Sequence, residues 1–137
     1  MTPEELLRRY IDRWNAQQGA EMANLYAERA ERISPLGLAS GRDAIRASAE
    51  GFWEAFPDSR VTILHYAAKG DVLFYEFTDE GTHTGPLMTL AGPVAGSGKT
   101  FRIVGVGIFE MADGVITAER LYFDAAALMI QLGLKGA

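Results

Sequence analysis

Residues Phe101 to Asp124 read FRIVGVGIFEMADGVITAERLYFD. Two runs rich in β-branched and aromatic residues flank Asp113-Gly114, and Asp-Gly between such runs is the strongest short-range hairpin signal. With those two residues as the turn, Ala112 pairs with Val115. Counting outward sets Asp124 opposite Ile103, far from the turn. Along the second run Arg120, Tyr122 and Asp124 share one face, and Glu119, Leu121 and Phe123 share the other.

Before the hairpin lies GPVAGSGKT, Gly92 to Thr100, which ends like a phosphate-binding P-loop. A P-loop needs a glycine five positions before Gly98 and a helix after Thr100. Pro93 stands where the glycine should be, and a β-patterned run follows, so no helix N-terminus is available to phosphate. Gly and Ser suit a hairpin loop instead. At about 15 residues, Thr84 to Gly98 is long for such a loop, which predicts a mobile flap with Lys99 on the surface.

Further out, VLFYEFTDEGTH (Val72 to His83) alternates as a long strand, and RVTILHYAA (Arg60 to Ala68) precedes it across a Lys69-Gly70-Asp71 turn. On the long strand Val72, Phe74, Glu76 and Thr78 share a face, and Leu73, Tyr75 and Phe77 share the other. Three helices come first. Thr2-Pro3-Glu4-Glu5 is a capping box with proline at the first helical position. Leu6, Leu7, Tyr10, Ile11 and Trp14 then mark an apolar face that ends near Asn15 to Gly19. AEMANLYAE, Ala20 to Glu28, reads as a short second helix with Met22, Leu25 and Tyr26 buried, followed by an extended piece, RISPLG. A third helix runs from about Arg42 to Phe56, with Ile45, Ala49, Phe52, Trp53 and Phe56 inward. AAALMIQLG closes the chain as a short helix ending at Gly133. The order is three helices, four strands in meander order and a short helix. Segregated helices and an antiparallel sheet make a single α+β domain over residues 1–137.

The 137 residues are 48% hydrophobic and 23% charged, an ordinary globular composition. A net charge of −5 without a basic stripe argues against nucleic acid. No run approaches the ~20 apolar residues of a membrane span. The absence of cysteine excludes disulfides and thiolate metal sites and fits a reducing cytoplasm. No histidine pair has metal-ligand spacing, and nothing in the sequence calls for a cofactor.

Several residues are candidates for chemistry. The long strand must return through the glycine-rich loop, which sets His83 near the level of residues 100 to 103 and so near Asp124. A His and an Asp at one mouth of a curved sheet form an acid–base constellation. Asp124 is equally placed to cap the last helix, and His83 to be an exposed loop residue. Glu76 lies in an apolar strand, either solvated or buried with a raised pKa. Tyr122, Tyr75, Trp14 and Trp53 read as core or pocket wall, and His65 as structural. Gly105 and Gly107 leave room on one face for a ligand or a bend.

Together WNAQQ, GRDAIR, AFPDSRV, GDVLFYEFTDEGTHTGPL, DGVI and YFDAAALMIQLG, in this order and spacing, resemble the SnoaL-like polyketide cyclases of the nuclear-transport-factor-2-like superfamily. The resemblance implies a cone: a strongly curved antiparallel sheet wrapped around helices, an apolar cavity, and homodimers formed through the outer sheet face. It implies acid–base chemistry on a carbonyl-bearing hydrophobic substrate, an aldol-type cyclisation or an isomerisation, with Asp124 as the general acid–base. A histidine is implied too. FRIVGVGIFEM has none, so His83 is the candidate, with Tyr122, Glu76 and Arg120 behind it. The alternatives are a non-catalytic cone that binds a hydrophobic small molecule, and an epoxide-hydrolase-like site built from Asp124, Glu76 and Arg120.

Overall fold

The computed structural model describes residues 1–89 and 91–134. Asp113 and Gly114 both have positive φ, 53° and 78°, as the type I′ hairpin turn requires. They join β7 (Thr100–Ala112) to β8 (Val115–Phe123), with Ala112 opposite Val115. On its other side β7 pairs with β4 (Val72–Thr82), which pairs with β3 (Arg60–Lys69). These four strands form the expected meander.

Two more strands extend the sheet beyond β8. β1 (Tyr26–Ser34) runs parallel to β8, and β2 (Gly37–Ser40) pairs antiparallel with β1, giving the order β2-β1-β8-β7-β4-β3. The sheet is curved, mostly antiparallel and not closed. Here the structure corrects the sequence reading. Helix α2 (Gly19–Ala23) stops short, and Tyr26 opens a strand rather than continuing a helix to Glu28. The segment is rich in Ala, Glu and Arg, which are good helix formers. Buried Tyr26 and Ala30 also stand four apart, as on a helix face. Pairing with β8 outweighs that preference, and a spacing of four suits a strand as well, since residues i and i+4 share one face of it.

Helix α1 (Pro3–Asn15) carries the expected capping box: Glu5 N–H donates to Thr2 Oγ1 at 3.1 Å, and Thr2 N–H to Glu5 Oε2 at 3.3 Å. Leu6, Leu7, Tyr10 and Trp14 face the sheet from α1, and Ile45, Ala49 and Trp53 from α3 (Arg42–Ala55). They meet Leu73, Tyr75, Phe77, Phe109 and Leu121 on the inner sheet face. A second cluster joins the end of α3 to α4 (Ala125–Gln131) through Phe56, Phe101, Ile103, Leu128 and Leu132. Burying each such side chain stabilises the fold by roughly 1.5–3 kcal/mol before entropy is counted. Gly105 and Gly107 make room for protein, not ligand. A Cβ on Gly107 would lie 2.1 Å from the Tyr75 ring, and one on Gly105 2.6 Å from the Phe77 ring.

The glycine-rich segment is a seated hairpin instead of a free flap. β5 (Leu87–Thr89) pairs with β6 (Gly92–Val94). The Ala55 carbonyl accepts from the Thr84 and Gly85 N–H groups at 3.1 and 3.2 Å. A Cβ on Gly85 would fall 1.9 Å from the Glu54 carbonyl oxygen, so backbone packs directly on the end of α3. Lys99 is exposed and Thr100 opens β7, so no helix follows to hold a phosphate.

Candidate active site

The inner face of the sheet, α1 and α3 enclose a cavity of about 520 Å³, bordered at its outer edge by Leu36, Leu38 and the hairpin residues Leu87 and Met88. Its wall is mainly apolar and aromatic. Tyr10, Trp14, Phe52, Tyr75, Phe77 and Phe123 contribute rings, and among the described residues the charged side chains on it are Arg32 and Asp79.

The bulge in β8 decides which residues reach this cavity. From Val115 to Ile116 the pairing sum with β7 is that of the turn, but beyond Glu110 it shifts by one, so that Phe123 faces Gly105. One extra residue in a strand flips every later side chain to the other face. Ile116 is therefore buried, and after the bulge Glu119 and Leu121 are buried too. Arg120 and Tyr122 turn outward. Continuous counting from the turn would have turned them inward.

Asp79 continues the inward row Leu73, Tyr75, Phe77 along β4, and only 4% of it is exposed. Its Oδ1 accepts from the Ser59 hydroxyl at 2.7 Å. Burial pushes its carboxyl up to about 7, against the opposing pull of the hydrogen bonds from Ser59 and the Glu80 backbone. An acid that exchanges its proton near neutral pH thus sits on the wall of an apolar cavity.

Beside the cavity lies a buried polar network centred on Glu119, which is 0% exposed. Its Oε1 accepts from the Tyr26 hydroxyl and from Arg32 Nε at 3.0 Å, and its Oε2 from the Tyr75 hydroxyl at 3.1 Å. Three donors on one buried carboxylate satisfy a group that would otherwise be very costly to bury. Burial and then the Glu119 charge hold the Tyr10, Tyr26 and Tyr75 hydroxyls above the ordinary tyrosine range. These hydroxyls are donors at any physiological pH. The Arg32 guanidinium also lies over the Trp14 ring, 5.4 Å from its centroid, a cation–π placement.

The residues expected from sequence divide sharply. Tyr75 and Trp14 line the cavity, while Trp53 packs edge-on behind Trp14 at 5.1 Å. Glu76, Arg120 and Tyr122 lie on the outer face. Glu76 stands 3.9 Å from His65, Arg120 binds Glu110, and Tyr122 is 56% exposed. Asp124 is exposed and caps α4, accepting from the Ala127 N–H at 2.9 Å. The epoxide-hydrolase set Asp124, Glu76 and Arg120 is therefore outside the cavity. His83 is fully buried against Phe56 but does not line the cavity. Its Nδ1 accepts from the Ser97 N–H at 3.2 Å and lies 3.0 Å from the Ser97 hydroxyl. No hydrogen bond joins it to Asp124. Asp79, Arg32 and Glu119 escaped the sequence reading, although strand parity put Asp79 with Tyr75 and Glu119 with Leu121.

The sequence profile of the SnoaL-like polyketide cyclases matches residues 4–132. The chain belongs to the SnoaL-like polyketide cyclase family. Solved structures agree in fold. A candidate SnoaL-like polyketide cyclase from Jannaschia sp. CCS1 superposes with a TM-score of 0.85 at 21% identity, covering 99% of this chain and 98% of that one. IdmH from Streptomyces antibioticus, a candidate polyketide cyclase, gives 0.81 at 20% over 98% and 100%. TsrD from Streptomyces laurentii gives 0.82 at 20% over 95% and 93%. Identities this low carry the fold and no particular chemistry. The SnoaL-like fold therefore supplies the frame, and the chemistry must be read from this chain's own cavity.

Proposed function

We propose that this SnoaL-like protein performs acid–base chemistry on a carbonyl-bearing hydrophobic substrate held in the cavity, with Asp79 as the proton shuttle. The observation that carries this reading is the placement of Asp79, a 4% exposed carboxyl on an apolar cavity wall with its pKa pushed up to about 7. A base poised near the working pH combines a useful ionised fraction with proton-transfer driving force. The Asp79 carboxylate takes the proton from the carbon next to a carbonyl, leaving an enolate. The neutral acid, which the apolar wall favours, returns the proton to the alkoxide of an aldol-type closure or to another carbon of an isomerised product. Ser59 holds one carboxyl oxygen in place at 2.7 Å. This transfers to Asp79 the role that the family resemblance gives to Asp124, whose exposure and cap geometry support a structural role.

The test is exchange of α-protons for deuterium in a panel of hydrophobic aryl ketones, followed by NMR. Exchange is expected to rise with pH through about 7 as Asp79 ionises, and to fall by roughly 100-fold or more in Asp79→Asn. Unchanged exchange in that variant overturns the assignment. Ligand binding without exchange in the wild type supports the non-catalytic reading instead.

Two further parts of the proposal concern setting. The outer sheet face, where Phe74, Val104, Val106 and Tyr122 are exposed, supports a homodimer. The cysteine-free sequence supports a cytoplasmic location; among the described residues no helix is long and apolar enough to cross a membrane.

A further inference from the structure

Arg32 is placed in a way that its ion pair with Glu119 does not explain. An arginine side chain has five N–H donors in a flat fork. Only the one on Nε is used among the described residues, toward Glu119. The Nη1 and Nη2 nitrogens, with the remaining four, make no hydrogen bond there, and neither is among the sealed-off polar atoms of the interior. The side chain keeps 13% exposure and lies on the cavity wall, so these nitrogens open to the cavity. If Arg32 served only to neutralise Glu119, a bidentate pairing through the fork would be the better arrangement. Instead Glu119 takes the side of the guanidinium, Trp14 supports its face, and the forked end is left free.

We infer that the cavity takes a ligand with a planar pair of acceptor oxygens, a carboxylate or the enolate of a 1,3-dicarbonyl, on an apolar body, and that the Nη1/Nη2 edge of Arg32 receives that pair. Guanidinium matches such oxygen pairs in geometry, and Lys does not. Charge balance agrees below about pH 7, where burial keeps Asp79, the other titratable group on the wall, neutral. Glu119 is already saturated by Tyr26, Tyr75 and Arg32, and its charge is locked into those contacts rather than turned toward the cavity. The aromatic walls of Phe52, Phe77 and Phe123 accept the apolar body. The inference rests on the reading of the cavity as the ligand site. It deepens that reading by making Arg32 a specificity-determining residue and Glu119 the group that holds its fork in position.

Isothermal titration with 2-naphthoate and with its methyl ester, at about pH 6 where the probe acid is ionised and burial still keeps Asp79 neutral, tests it without any variant. Wild-type protein is expected to bind the acid about tenfold or more tightly than the ester, the scale of one charge-assisted bidentate contact. Arg32→Lys should lose most of that preference. Because Arg32→Met alone would strand a buried carboxylate, the double variant Arg32→Met/Glu119→Gln is the second arm, and it should bind acid and ester equally. Ester binding as tight as acid in the wild type, or an acid preference that survives in the double variant, overturns the inference while leaving the cavity a ligand site. Failure of both probes to bind removes the ligand-site reading and this inference together. A retained acid preference beside Asp79-independent proton exchange removes the Asp79 assignment alone.

Discussion

Asp79 and Asp124 carry the same functional group and do different work because of what surrounds them. Asp124 is exposed just after β8, and the Ala127 N–H of α4 claims its carboxylate. Asp79 follows Tyr75 and Phe77 on the inner face of β4 and is held by Ser59, where burial favours the neutral acid. Glu119 is buried as well, yet its neighbours differ again: three donors converge on it, so it organises Tyr26, Tyr75 and Arg32. Substituting the cap separates these roles. Asp124→Ala is expected to lower stability by about 1 kcal/mol, the usual worth of an N-cap, and to leave ketone proton exchange at the wild-type rate. Chemical denaturation together with the exchange assay measures both. A loss of exchange far beyond the loss of folded protein would return Asp124 to the chemistry.

At the scale of the elements, the sequence was legible where local signals agree with tertiary pairing. Asp113-Gly114 set the hairpin and Thr2 with Glu5 set the start of α1, because both are written in a few adjacent residues. β1 was hidden because its Ala, Glu and Arg favour helix, and what makes it a strand is β8, nearly ninety residues away in register. The cavity face of β8 was hidden for a subtler reason. Parity along β8 was read correctly, but the bulge beyond Ile116 reverses which parity points inward, and nothing near Thr117 announces it. On β4 no such break intervenes, so the row Leu73, Tyr75, Phe77 already pointed to Asp79. Close packing between neighbouring strands gives a prediction at this scale. Gly107→Ala would set a methyl 2.1 Å from the Tyr75 ring and push that hydroxyl off Glu119. A destabilisation of roughly 1–3 kcal/mol is expected from overpacking alone, and more with the bond to Glu119 lost. Thermal denaturation reads it. A fully stable variant would mean that the ring has room the structure does not give it.

For the molecule as a whole, the sheet separates two kinds of surface. Its inner face with α1 and α3 makes the cavity, and its outer face leaves an apolar patch in the water. On that outer face Val106 stands in register between Glu76 and Tyr122, at the middle of the proposed dimer contact. Light scattering should give twice the 14.9 kDa chain mass for the wild type and the single chain mass for Val106→Arg, with the cavity chemistry intact. A wild-type monomer at all accessible concentrations would remove the dimer. The proposed proton shuttle requires Asp79 to change charge near neutrality while buried. Side-chain carbon-13 NMR titration of the Asp79 carboxyl measures that directly, with Asp79→Asn identifying the signal. The account predicts a midpoint near 7, as burial dictates. A midpoint near 4, that of an ordinary solvated aspartate, would contradict it.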